Sequence, residues 1–237
     1  MNSKTERQLV RFGHSCVLIT LPGATGRVRL LLDPGNLTPP FSVPNAVDAV
    51  LVTHAHPDHI DTAQVQQLSG QTELRVFGPA GTAASLEGAA ASAVTEVSSG
   101  SLDIQGVSIV ATAAPHEEIY SEVPVPDNLA YFIDGKILAP GDSFFVPDFE
   151  VDVLLLPLGA PWMKLSETID YLNELAPRVV IPVHDAGLAP AHQGLHQTLI
   201  RKFAPDRTTV IVPALGETVS LTSRDSVKWI GVPARRK

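Results

Sequence analysis

Residues 53–61, THAHPDHID, concentrate more metal-binding chemistry than any other stretch of the chain. They follow the apolar run 49–52, so they sit where a buried strand emerges into a loop. In an extended segment residues two apart share a side, which lets His54 and His56 reach one ion together. Pro57 supports that geometry by biasing His56 away from the helical region. Asp58 and His59 are adjacent, and on a turn they can converge on a second point a few ångströms away. Three imidazoles and a carboxylate are the donors preferred by zinc and neighbouring first-row metals. Coincidence would produce this H-x-H-x-D-H pattern in on the order of one such chain in two thousand, so a chance origin is set aside.

Four donors in one loop do not complete two metal sites. Of the histidines outside the loop, His116 follows the apolar run 107–114 and Pro115, and His184 ends the run VVIPVH. Asp142, in APGDS, follows the expected hairpin strand 136–139. All three stand at strand-to-loop positions like that of the first motif, where a site at one edge of a sheet would collect them.

The elements that must position these residues are short and punctuated. Apolar runs at 16–21, 28–32, 47–52, 74–77 and 107–111 read as strands, rich in Val, Ile and Leu and bounded by turn residues. Runs 129–133 and 136–139 are joined through Asp134-Gly135, a hairpin signal. Runs 151–156, 178–182 and 208–212 repeat the strand pattern. Helices are expected at 62–68, 81–91 and Pro190–Phe203, and at 167–175 with Ser166 as N-cap and Pro177 as the stop. Strands at both ends with helices inserted in each half predict an α/β sandwich of two mixed sheets with helices outside. No linker, repeat or like-charge block divides residues 1–237, which therefore read as a single domain.

Composition narrows the function classes. Of 237 residues 44% are hydrophobic and 18% charged, which excludes intrinsic disorder. A formal net charge of −8 gives no general attraction to nucleic acid or anionic lipid. No apolar run approaches the roughly 20 residues needed to span a bilayer. The run 17–21 is too short for the core of a signal peptide, so a cytoplasmic location is expected. The single Cys16 excludes an intramolecular disulfide framework, and its place in an apolar strand favours packing over reactivity. The expected partner is a small-molecule substrate, with no nucleic acid and no membrane; assembly into a homo-oligomer is left open.

The ordered set Asp33, His54-x-His56-x-Asp58-His59, His116, Asp142 and His184 resembles the five motifs of the metallo-β-lactamase superfamily over about residues 9–215. The opening RFGHSCVLIT followed by LLDPG also resembles the branch that contains ascorbate-6-phosphate lactonase and many uncharacterised metal-dependent hydrolases. The resemblance implies an αββα fold with a dinuclear centre at one edge of the sandwich. It assigns His54, His56 and His116 to a first ion and Asp58, His59 and His184 to a second, with Asp142 bridging both. The second bridge would be a hydroxide acting as nucleophile, so Asp58, His59 and Asp142 count as catalytic as well as ligating. Two divalent ions are implied, zinc first, with manganese or iron as alternatives.

Around this set several residues admit two readings. Asp33 either caps a turn or, as favoured here, orients the metal loop from behind. His14 is either a satisfied histidine between strands or a polar group lining the pocket. Asp185 either supports the site or serves the surrounding structure, the latter slightly ahead. His192 and His196 have a metal-compatible i,i+4 spacing, but with the ligand set already full a solvent-facing helix or pocket rim is expected. Trp162 either walls a substrate pocket or fills a core.

Hydrolysis of a small-molecule ester, lactone or phosphodiester is the expected activity. The alternatives are an iron-dependent oxidoreductase of the persulfide dioxygenase kind and, third, a nuclease. The nuclease is disfavoured by the acidic charge and by the lack of an inserted basic arm, the basic end 234–237 reading as a solvated tail. A phosphorylated lactone would need a cationic pocket, for which Lys164, Arg178 and Arg201 are the candidates by position.

Overall fold

The computed structural model describes residues 6–43, 45–68 and 74–221 and the backbone of 227–229; the basic end 234–237 lies outside them. The strands are β1 (Arg7–Gly13), β2 (Cys16–Pro22), β3 (Arg27–Leu32), β4 (Ala49–Leu51), β5 (Val76–Gly78), β6 (Val94–Glu96), β7 (Gly100–Ile104) and β8 (Val107–Ala113). They continue with β9 (Leu129–Ile133), β10 (Ile137–Ala139), β11 (Val153–Pro157), β12 (Val179–Val183), β13 (Thr209–Val210), β14 (Thr218–Leu221) and β15 (Val227–Trp229). The helices are α1 (Thr62–Gln66), α2 (Gly88–Ser92), α3 (Leu165–Leu175) and α4 (Pro190–Phe203).

Two sheets form, in the orders β15-β14-β1-β2-β3-β4-β5-β6 and β13-β12-β11-β10-β9-β8-β7. Each is mixed. The first is antiparallel through β3 and parallel from β3 to β6. The second is antiparallel from β7 to β10 and parallel from β10 to β13.

Alternation along the strands dictates the layers, because successive side chains face opposite sides. Leu30, Leu32, Val153 and Leu155 join one central core between the sheets. Their neighbour Leu31 packs outward with Val65 and Ala90 of α1 and α2. On the far side Leu154 and Leu156 pack outward with Leu172 of α3 and Ile200 of α4. Two mixed sheets flanked by helices is thus the architecture, the metallo-β-lactamase fold that the sequence led us to expect.

The Asp134-Gly135 hairpin is a primed turn. Both residues take positive φ, 53° and 59°, which matches the twist of β9 and β10.

Three local expectations need correction. The helix expected at 81–91 is a 3-10 turn, Ala83–Ser85, followed by the short α2. Leu86 and Glu87 are extended between them, and Gly81 and Gly88 take φ of 90° and 58°, conformations a continuous helix cannot hold. The N-cap of α3 is Lys164 and not Ser166, because the Glu167 carboxylate reaches back to accept from the Lys164 amide at 2.7 Å. Strands β1, β6, β7, β14 and β15 had no counterpart among the expected apolar runs. Among the described residues no helix is long and apolar enough to cross a membrane.

Candidate metal centre

Every group singled out for metal chemistry lies at one edge of the sandwich, at the loop ends of strands. Asp33 follows β3, and residues 53–61 follow β4. His116 follows β8, Asp142 follows β10 and His184 follows β12. Crevices beyond the carboxyl ends of parallel strands are where open α/β sheets place their sites.

The loop after β4 is held by the LLDPG segment. Asp33 Oδ1 accepts from the Thr53 amide and Oδ2 from the Thr53 hydroxyl, both at 2.8 Å. Gly35 lets the two segments touch, since a Cβ there would lie 1.9 Å from the Asp58 carbonyl oxygen. Asp61 then caps α1 by accepting from the Gln64 amide at 3.0 Å. On the opposite sheet Asn128 ties two loops together. Its amide donates to the Ala114 and Pro140 carbonyls at 2.9 and 3.0 Å, and its oxygen accepts from the Asp142 amide at 3.2 Å.

The result is two donor clusters and a link. His54, His56 and His116 each place one ligand atom within 4.8 Å of the others, and so do His14, Asp58, His59 and His184. Asp142 forms a third such group with His54 and His59, which makes it the carboxylate common to both sides. Asp142 Oδ1 lies 3.2 Å from His59 Nε2, and Oδ2 lies 3.2 Å from His184 Nε2 and 3.6 Å from His116 Nε2.

Ring polarity is consistent around the centre. His59 Nδ1 donates to Asp33 Oδ2 at 2.9 Å, His116 Nδ1 to the Glu117 carbonyl at 2.6 Å and His184 Nδ1 to the Gly159 carbonyl at 2.9 Å. His54 Nδ1 faces the Thr53 hydroxyl at 3.1 Å. These four imidazoles therefore turn Nε2 inward. The Nε2 atoms of His54, His59, His116 and His184 and Asp142 Oδ1 are buried with no hydrogen-bond partner. Buried polar atoms in proteins are as a rule paired; Arg11 Nε, Ser15 Oγ, Thr38 Oγ1 and Thr168 Oγ1 are unpartnered here too, but these five atoms converge, which fits a cation set among them.

Charge states differ across the centre. Burial, reinforced by His59, holds His54 well below the usual imidazole range, and burial with His116 does the same to a lesser degree for His56. Burial also opposes charge on His59 and His184. There the carboxylates win: Asp142 and Asp33 raise His59, and Asp142 and Asp58 raise His184 to about 9. Burial would raise Asp142 and Asp58 in turn, but His59 and His184 beside the first, and His14 and His184 beside the second, hold both carboxyls below their ordinary range.

Backbone strain gathers here too. Six non-glycine residues among those described have positive φ, and His14, Asp33 and His184 are three of them, at 46°, 44° and 54°. Such conformations persist where surrounding structure enforces them, often at functional sites.

The remaining residues sort clearly. His14 is buried beside Asp58, 3.1 Å from its Oδ2. Asp185 serves the structure around the centre: it pairs with the buried Arg11 and accepts from Gln193 at 2.7 Å. Trp162 does more than wall a pocket, since its indole N–H donates to Asp142 Oδ2 at 2.8 Å. His196 is bonded to the Leu158 carbonyl at 2.9 Å and His192 is exposed, so the i,i+4 pair does not chelate. Cys16 is buried, and burial pushes its thiol up.

The cation candidates are not at the centre. Arg178 precedes β12, at the end opposite His184, and is paired with Asp152 at 2.8 and 3.0 Å. Lys164 has an 82% exposed side chain near Glu167, and Arg201 is exposed on α4. Thr53, Asn128 and Arg11 were missed as supporting residues. A signal existed only for Thr53, which opens the motif.

With the fold and the donor set in place, comparison with known proteins defines the class. The chain belongs to the family described as Beta-lactamase superfamily domain, whose profile matches residues 8–184. It is 37% identical over 196 residues to Protein Rv0786c of Mycobacterium tuberculosis, covering 80% of this chain and 89% of that one. It is 28% identical over 214 residues to a UPF0173 metal-dependent hydrolase of Pyrococcus abyssi, covering 83% and 93%. Among solved structures it resembles Igni18, a metallo hydrolase from Ignicoccus hospitalis, with TM-score 0.69 and 23% identity over 93% of this chain and all of that one. The last likeness speaks for the fold alone.

Proposed function

We propose that the chain is a metal-dependent hydrolase whose centre takes two divalent ions, zinc by its donor set with manganese or iron as alternatives, and that it opens an ester, lactone or phosphodiester bond of a small molecule. The observation that carries this reading is the convergence of four orphaned Nε2 atoms and Asp142 Oδ1 at the mouth of the sandwich. His54, His56 and His116 would hold one ion, Asp58, His59 and His184 the other, with Asp142 shared. Bound ions of this kind lower the pKa of a coordinated water towards neutrality and polarise a carbonyl or phosphoryl oxygen.

The chain's own groups supply the rest. Asp33, Glu117 and Gly159 fix the Nδ1 protons, so the imidazoles cannot turn away from the centre. Trp162 fixes Asp142 by donating to its Oδ2. Asp58 is the less buried of the two ligand carboxylates, its side chain 27% exposed against 5% for Asp142.

Beside the centre a cavity of about 750 Å³ is lined by Pro79, Val97, Pro115, His116, Val125 and Asn128, with the carboxylates Glu96 and Asp127 also on its wall. That volume suits a small molecule. Among the described residues no Lys or Arg lines it, and Lys164, Arg178 and Arg201 are not on its wall. An uncharged ester or lactone is therefore favoured over a phosphorylated substrate.

The test joins elemental analysis of stripped and reloaded protein to a panel of neutral esters, lactones, thioesters and phosphodiesters. Two equivalents of metal and turnover of a neutral acyl substrate are expected. Saturation at one ion or none overturns the dinuclear reading, and turnover confined to phosphodiesters overturns the substrate preference.

A further inference from the structure

His14 stands in the same cluster as Asp58, His59 and His184, close enough to be counted as one more ligand. Its ring has the opposite polarity from the others. The Ala186 amide donates to His14 Nδ1 at 3.3 Å. A backbone N–H is a fixed donor, so that nitrogen carries a lone pair and the proton of the neutral ring sits on Nε2. Nε2 faces Asp58 Oδ2 at 3.1 Å, an acceptor. To ligate a metal, Nε2 would have to give its proton to Nδ1, where it would oppose the Ala186 N–H. His59, His116 and His184 show the reverse arrangement, each with Nδ1 on an acceptor and Nε2 unpartnered.

The ring is held in this orientation by its turn. His14 links β1 to β2 with φ of 46°, and its carbonyl accepts from the His184 amide at 3.0 Å. Gly13 before it takes φ of 138°, and a Cβ there would lie 2.5 Å from Pro39 Cδ. A main-chain bond thus ties His14 to His184, and its side chain ties it to Asp58.

We propose that His14 is a positioning residue and not a ligand: its Nε2–H holds Asp58 Oδ2 and so fixes the carboxylate orientation that Asp58 presents to the second ion. The proposal rests on the metal-centre reading above. It sets this histidine, which the sequence left between two readings, to one side of the coordination sphere.

The deciding measurement is the tautomer, read from long-range proton–nitrogen spectra of protein labelled with ¹⁵N-histidine, metal-free and zinc-loaded, with His14 assigned from H14Q. The expected result is a protonated Nε2 and a pyridine-like Nδ1 on His14 in both forms, beside protonated Nδ1 on His59, His116 and His184. A protonated Nδ1 on His14 overturns the proposal. Stepwise chelator competition supplies the second readout. H14A should weaken the second ion about 10–100-fold and leave the first unchanged, the scale of lost supporting contacts to metal ligands. H14Q, whose amide nitrogen donates from nearly the same place, should restore most of that loss. Wild-type affinity for both ions in H14A, or an equal loss in H14Q, overturns the positioning role. The tautomer is read on the unsubstituted protein, so it stands even where H14A folds poorly. A protein saturating below two ions would instead defeat the dinuclear reading, with the His14 tautomer still decided by its spectrum.

Discussion

The two sides of the centre are built from the same side chain and reach opposite states of charge. His54, His56 and His116 face one another with no carboxylate in their own cluster. Burial and mutual proximity push His54 and His56 down, so those two imidazoles favour the neutral, lone-pair-bearing form. Across Asp142, His59 and His184 are no less buried, yet Asp33, Asp58 and Asp142 raise them. Without metal, that side is a network of ion pairs. Desolvation keeps a buried imidazole below its usual range unless enough carboxylate charge stands beside it: His14, with Asp58 alone at 3.1 Å, stays lowered.

The largest break in this comparison should come from the group common to both sides. Asp142 touches His59, His116 and His184 and forms a compact group with His54 and His59. Asp142→Ala is expected to lower the affinity of both ions and to reduce hydrolysis by orders of magnitude, followed by chelator competition resolving each step. Two tightly retained ions in that variant would remove Asp142 as the bridge.

Single-sided losses come next. Asp58→Ala should lose the second ion and lower turnover by orders of magnitude with the fold kept, because the loop is still tied by Asp33 and Thr53. His116→Ala should chiefly lower the first. Elemental analysis beside circular dichroism checks both, and near wild-type turnover in Asp58→Ala would take that residue out of the site.

A smaller effect is expected behind the ligands. Asp33→Asn keeps the shape but loses the charge that accepts from His59 Nδ1 and from Thr53. The second ion should weaken about 10–100-fold while the first keeps its affinity. Equal losses at both would show that Asp33 acts through the whole loop.

How much of this was legible before the structure follows from the range of the contacts. The H-x-H-x-D-H loop could be read because its donors are neighbours in sequence. His116, Asp142 and His184 could be read because each ends an apolar run, and strand ends are where such sites gather. Asn128 and Arg11 could not: their work is done against Ala114, Pro140, Asp142 and Asp185, partners up to 174 residues away. The break in the helix expected at 81–91 was hidden because alanine-rich sequence favours helix, while the extended Leu86–Glu87 step is set by packing of Leu86 into the outer core. The edge strands β6 and β7 escaped notice because little of their surface is apolar and buried.

The effect that reads the comparison most directly, with no substitution at all, is the pH dependence of metal uptake. With His184 raised to about 9 by Asp142 and Asp58, it is protonated at pH 7 in the metal-free chain. An ion entering that side must displace that proton, so its apparent affinity should rise with pH, by about tenfold per pH unit, until His184 has titrated near pH 9. His54 and His56 lie below the ordinary imidazole value, so those two ligands should release almost no proton over the same interval. Calorimetric titration of zinc into the stripped protein, in buffers of different ionisation enthalpy, measures the protons released at each step. One step with proton release and one nearly without is the expected pattern. Equal release at both steps would mean that the carboxylates do not distinguish the two sides, and the asymmetry argued from burial and charge would fail.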